Sequence, residues 1–155
     1  MDQNVEARLK ELGWMLPASP KPIAAYVPAV RTGNLLWISG QLPLCDGKLL
    51  ATGPVGSAVS LEQAQRAAAQ CAVNALAIVH AECAGDWSRL QRIVRLGVFV
   101  QCGAGYGEQP KVANGASELL VQVLGDVGRH ARAAVGVNAL PLNATVELEM
   151  VVELA

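Results

Sequence analysis

Residues 129–141, R-H-A-R-A-A-V-G-V-N-A-L-P, place two arginines and one of the chain's two histidines ahead of a run of small apolar residues. Arginine supplies a planar, permanently charged fork that grips a carboxylate through two parallel hydrogen bonds. Strand alternation sets Ala134 and Gly136 on the same face as Arg132, and such small neighbours leave room beside the guanidinium for a ligand. Arg129 follows G-D-V-G and reads as an exposed loop charge. His130 reads either as a packing or capping histidine or as an acid–base group. Glu147 opens a later strand one short turn, A-L-P-L-N-A, after the strand of Arg132, so the two are expected to face one cleft. An ordinary salt bridge would account for that pair equally well. Glu149 and Glu153 read as the solvated side of the same strand.

Other chemistries find less support. The stretch C-G-A-G-Y-G-E is a glycine loop in which Tyr106 is placed to close over a ligand, but the third glycine of a dinucleotide fingerprint falls on Glu108. Ser39 and Ser117 have no histidine and acid at a recognisable spacing, so nucleophilic catalysis is not indicated. His80 and His130 lack thiol or carboxylate neighbours at ligand spacing, and no metal or other cofactor is expected. Cys45, Cys71, Cys83 and Cys102 form no C-x-x-C pair. Cys71 and Cys83 fall on one predicted helix roughly 18 Å apart, too far for a disulfide.

The elements that must position these groups can be read from periodicity. Val5, Leu9 and Leu12 repeat at helical spacing before Gly13, which predicts a short helix over 3–12. Pro17 to Pro22 carries three prolines and predicts a linker. The β-capable runs Tyr26–Arg31 and Leu35–Ser39 flank T-G-N and predict a hairpin. Leu42–Ser57 reads as irregular chain lining a cleft. Ser60-Leu61-Glu62-Gln63 is a capping box that starts a long alanine-rich helix ending near Gly85. Arg92–Val100 predicts a covered strand, Pro110–Val123 a second helix, and Ala131–Val137 and Thr145–Leu154 two further strands. The order β-β-α-β-α-β-β implies an α+β fold, one mixed sheet with both helices on one face and the N-terminal helix as an addition. The face left bare calls for a cover, most simply another subunit.

At 155 residues, with 52% hydrophobic and 16% charged residues, the chain fits one domain with a finely grained Ala, Val and Leu core. A net charge of −1 leaves no basic stripe, which argues against nucleic-acid binding. A charged amino terminus and the lack of a long apolar run predict a cytoplasmic chain with no membrane contact.

Tyr26-Val27, I-S-G-Q-L-P over 38–43, A-N-G-A-S-E around Asn114, A-R-A-A-V before L-P, and V-E-L-E occur together in an order that resembles the RidA (YjgF-like) family over residues 22–154. These are the reactive-intermediate deaminases, also described as L-PSP endoribonucleases. The resemblance implies a chorismate-mutase-like homotrimer with clefts between subunits. It also implies hydrolysis of 2-enamino or 2-imino acids to 2-keto acids and ammonia, without a cofactor. Arg132 then matches the arginine that holds the substrate carboxylate, and Glu147 the acid that positions water. Tyr26, Ser39, Gly40 and Asn114 match cleft-lining positions, and a backbone amide near Ala134 is placed to stabilise developing charge. His130 stands where the family usually has proline, and Ala134 where it has cysteine. A non-catalytic trimer that binds small carboxylates is the alternative. Ribonuclease activity is disfavoured by near-neutral charge and few aromatics.

Overall fold

The computed structural model describes residues 4–21 and 25–155. Gln3 of the predicted helix and Pro22 of the predicted linker lie outside the described residues. The chain runs α1 (Val5–Glu11), β1 (Ala29–Thr32), β2 (Leu35–Gln41), β3 (Leu44–Cys45), β4 (Lys48–Leu49), α2 (Leu61–Glu82), β5 (Leu90–Gln101), α3 (Gln109–Leu124), β6 (Ala131–Val137) and β7 (Val146–Leu154).

Five strands form one sheet in the order β1-β2-β7-β5-β6. All neighbours are antiparallel except β5 and β6, which run parallel and are joined through α3. Leu36 and Ile38 of β2, Leu96, Val98 and Val100 of β5, and Val146, Leu148, Met150 and Val152 of β7 are buried beneath the helices. The alternation read from the last strand therefore sorts its two faces correctly.

α2 begins as its capping box requires: Ser60 Oγ accepts from Gln63 N at 3.1 Å, and Gln63 Oε1 accepts from Ser60 N at 2.9 Å. Its alanines let α3 cross closely, and Gly115 of α3 lies directly on the Gln65 backbone, where a Cβ would collide. α1 seats Val5 and Leu9 completely in the core, and Arg8 Nη1 donates to Val123 O near the end of α3 at 2.8 Å.

The segment read as irregular over 42–57 contains a small hairpin, β3 and β4, closed by Asp46 and Gly47 at φ of 51° and 76°. Asp-Gly with both residues left-handed is the usual two-residue hairpin turn. The first strand begins later than expected, at Ala29, because Pro28 has no N–H to add to the ladder.

The second sheet face is open. Trp37 is 52% exposed, with Val30 and Val135 also exposed on that side, beside an Arg95–Glu149 ion pair of 3.0 Å. Glu149 lies over Gly97, and Glu153 accepts from Asn34 Nδ2 at 2.8 Å, so neither carboxylate is simply solvated.

Candidate functional site

Arg132 aligns with Leu96 of β5, whose side chain is buried under the helices, and so lies on the helix side of edge strand β6. α3 holds it there. Nη1 donates to Asn114 Oδ1 at 2.8 Å and to Ser117 Oγ at 3.0 Å, and Nη2 donates to Pro110 O at 3.3 Å. Asn114 and Ser117 are three residues apart and thus share one helix face. A guanidinium has five N–H groups, and among the described residues these three bonds leave the one on Nε and a second on Nη2 for a ligand. Arg132 borders an open depression of about 270 Å³ that Ser117, Val121, Arg129 and His130 also line.

Ser117 Oγ also lies 2.9 Å from His130 Nε2, and His130 Nδ1 lies 2.6 Å from Gly128 O. Burial, with the neighbouring Arg132 charge, pulls the His130 pKa down, against the upward pull of the Gly128 carbonyl. The absence of a serine–histidine contact expected from sequence is thus corrected, although no carboxylate completes a triad. Arg129 is exposed and paired with Asp126 at 3.2 Å, as a loop charge would be.

A second group of predicted residues gathers around β2. The sheet register slips between Ile38 and Gln41, which sets Ser39 and Gly40 opposite Glu149 in a bulge. Ser39 Oγ donates to Val27 O at 2.8 Å and ties the incoming segment to the strand. Lys21, Tyr26, Ser39, Gly40, Leu42 and Asn74 line a cavity of about 180 Å³. Glu147 packs on Gly40, whose missing Cβ makes way for the carboxylate. Burial first, then the nearby Glu149 charge, pushes the Glu147 pKa up.

The expectation that Arg132 and Glu147 face one cleft fails within a single chain. β5 lies between their strands, and Glu147 aligns with Phe99 on the open face, whereas Arg132 aligns with Leu96 on the helix face. Chain neighbours need not be sheet neighbours: the turn before β7 carries the chain past β5 rather than folding β7 onto β6.

Two further expectations change. Gly136 is small because Cys102 Sγ and Gln109 Nε2 would each lie 2.8 Å from a Cβ there, so protein rather than ligand occupies that space. Ala134 is half-buried against the core on the Arg132 side. Tyr106 lies over Gly56, its ring 3.4 Å from where a Cβ would sit, and burial raises its pKa. It packs the glycine loop onto the 42–57 segment and does not line the Arg132 depression. All four cysteines are free. Among the described residues, no three His, Cys, Asp or Glu side chains converge as a metal site would need.

Residues 6–154 match the family model described as "YjgF/chorismate_mutase-like, putative endoribonuclease". The chain belongs to this family. Within the YjgF-like proteins, it is 44% identical to protein TCP17 of Trypanosoma cruzi, over 97% of this chain and 94% of that one. It is 28% identical to a 2-iminobutanoate/2-iminopropanoate deaminase of Dermatophagoides farinae, over 88% and 91% of the two chains. The crystal structure of Atu1372, a protein of unknown function from Agrobacterium tumefaciens, superposes with a TM-score of 0.93 at 51% identity, covering 97% of this chain and 92% of that one. The YjgF-like α+β fold expected from sequence is therefore the observed one.

Proposed function

We propose that the protein is an imine deaminase that converts 2-imino acids, and the 2-enamino acids from which they form, into 2-keto acids and ammonia. The observation that carries this reading is Arg132, held by three hydrogen bonds to α3 at the side of an open depression. A guanidinium fits a substrate carboxylate through two parallel hydrogen bonds. Similarity to a 2-iminobutanoate/2-iminopropanoate deaminase supports the substrate class.

The reaction needs water added to the imine carbon and a proton delivered to nitrogen. Water attacks the C=N carbon, giving a carbinolamine. Collapse of that intermediate forms the C=O bond, breaks the C–N bond and releases ammonia. Glu147, whose pKa is raised by burial and by the nearby Glu149 charge, takes the proton from water and returns it to the departing amine. β6 is an edge strand, so its outward backbone N–H groups are open to a substrate oxygen beside Ala134.

Since one chain sets Arg132 and Glu147 on opposite sheet faces, the proposed site joins Arg132 of one subunit to Glu147, Tyr26 and Gly40 of the next. A homotrimer supplies three such clefts and covers the open face carrying Trp37 and Val135. The same separation favours one competing reading, in which the Arg132 depression binds a carboxylate without turnover. The deciding experiment generates 2-iminobutanoate in situ with a dehydratase and follows 2-oxobutanoate formation. Wild type accelerates it, while Arg132→Ala and Glu147→Gln do not. Equal rates with and without wild-type protein would refute the deaminase.

A further inference from the structure

With a neutral imidazole, the hydrogen bonds around Ser117 have only one complete assignment. Arg132 Nη1 can only donate, so Ser117 Oγ accepts from it. The Gly128 carbonyl can only accept, so the His130 nitrogen beside it, Nδ1, carries the proton. A neutral imidazole then presents Nε2 as an acceptor, and the one free donor facing it is the Ser117 hydroxyl. The chain therefore runs Arg132 N–H to Ser117, Ser117 O–H to His130, and His130 Nδ1–H to Gly128 O. Half-burial of the ring favours its uncharged form, in keeping with this order.

Ser117 lies in the middle of α3, with one lone pair turned to Arg132 and its proton to His130. What the chain does is fix the direction of the Arg132 fork. Asn114 holds the same nitrogen from the previous turn of α3, so the guanidinium is gripped at two points and cannot swing. Each group has one role: the Gly128 carbonyl sets the tautomer, His130 orients the hydroxyl, and the hydroxyl's lone pair faces Nη1.

We propose that Ser117 and His130 are positioning residues for Arg132, acting as a relay that locks the guanidinium edge toward the depression and tunes affinity for the substrate carboxylate. The proposal rests on the carboxylate-anchor reading above for its effect on substrate, and on the hydrogen-bond chain alone for the effect on Arg132.

The test uses the full-length protein and three variants: Ser117→Ala, His130→Ala and His130→Gln. Glutamine places a carbonyl oxygen near the position of Nε2 and keeps an acceptor for the serine hydroxyl. Steady-state kinetics with 2-iminobutanoate should give KM about tenfold higher in Ser117→Ala, where a hydrogen bond to a charged group is lost, and about threefold higher in His130→Ala, where the hydroxyl loses its orienting acceptor. The kcat should change little, because the carboxylate grip is the same in ground and transition states. His130→Gln should restore KM to within about twofold. Nitrogen NMR of the wild type should show His130 protonated at Nδ1, with separate, slowly exchanging Arg132 Nη signals that collapse in the alanine variants. An Nε2-protonated tautomer, unchanged KM and Nη signals in the alanine variants, or the same defect in His130→Gln would each overturn the relay. Wild type that neither deaminates 2-iminobutanoate nor binds 2-oxobutanoate would overturn the function instead. The tautomer and guanidinium signals would then still decide the relay.

Discussion

Arg132 donates three of its five N–H groups to α3, so its conformational entropy is removed before any ligand arrives. Arg132→Ala should lower kcat/KM by about a hundredfold or more, as loss of a desolvated charge pair does. Arg132→Lys should recover only part of this, because an ammonium cannot present a two-pronged edge or hold Asn114 and Ser117 together. Glu147 makes the opposite kind of prediction. Its folded pKa lies above the ordinary value, so the fold favours its protonated form and loses stability as pH climbs through the raised value. Glu147→Gln should therefore melt at a higher temperature than wild type at pH 8, and the gap should close below about pH 4.3. Arg132 and Glu147 could be picked out from residue type and motif. Ser117 carries a weaker signal: it is 13 residues from His130 in the chain, and its three-residue offset from Asn114 on one helix face is the local sign of a shared role.

The elements were legible where local signals are strong and self-contained. The Ser60 capping box starts α2 as read, and Ser60→Ala should cost about 1 kcal/mol in a urea titration. The Asp46-Gly47 turn carries an equally local signal, the Asp-Gly pair, which the prolines and glycines around it obscured. Gly115 shows what local signals cannot supply. Its smallness follows from α2 crossing α3 at Gln65, a contact made across 50 residues of chain. Gly115→Ala should destabilise by about 1–3 kcal/mol, with α3 pushed away from α2 and the Arg132 contacts loosened as a result. Substrate affinity should fall together with the urea midpoint, whereas an ordinary surface substitution would move neither.

For the molecule as a whole, alternation along β7 and the count of helices were enough to show that one sheet face lacks a cover. Strand order was not readable, because pairing across a sheet depends on contacts among all the strands. That is why Arg132 and Glu147, separated by one short turn, were expected together and lie on opposite faces. In the proposed trimer this separation becomes a measurable property. Mixing Arg132→Ala with Glu147→Gln chains, after unfolding and refolding them together, should regain a fraction of wild-type activity, since some clefts would pair an intact arginine with an intact glutamate. No recovery would refute a cleft shared between subunits. Trp37→Glu should reduce the solution mass from about three times 16.2 kDa toward a single chain.

α1 buries Val5 and Leu9 completely, and its Arg8 caps a carbonyl near the end of α3, yet it reaches β1 only through a proline-bearing stretch. It is in effect a ligand tethered to its own receptor, held at a high local concentration by the tether. A chain beginning at the linker should thus accept residues 1–16 as a separate peptide, with binding and stabilisation of the last turn of α3 rising together as the peptide is titrated in.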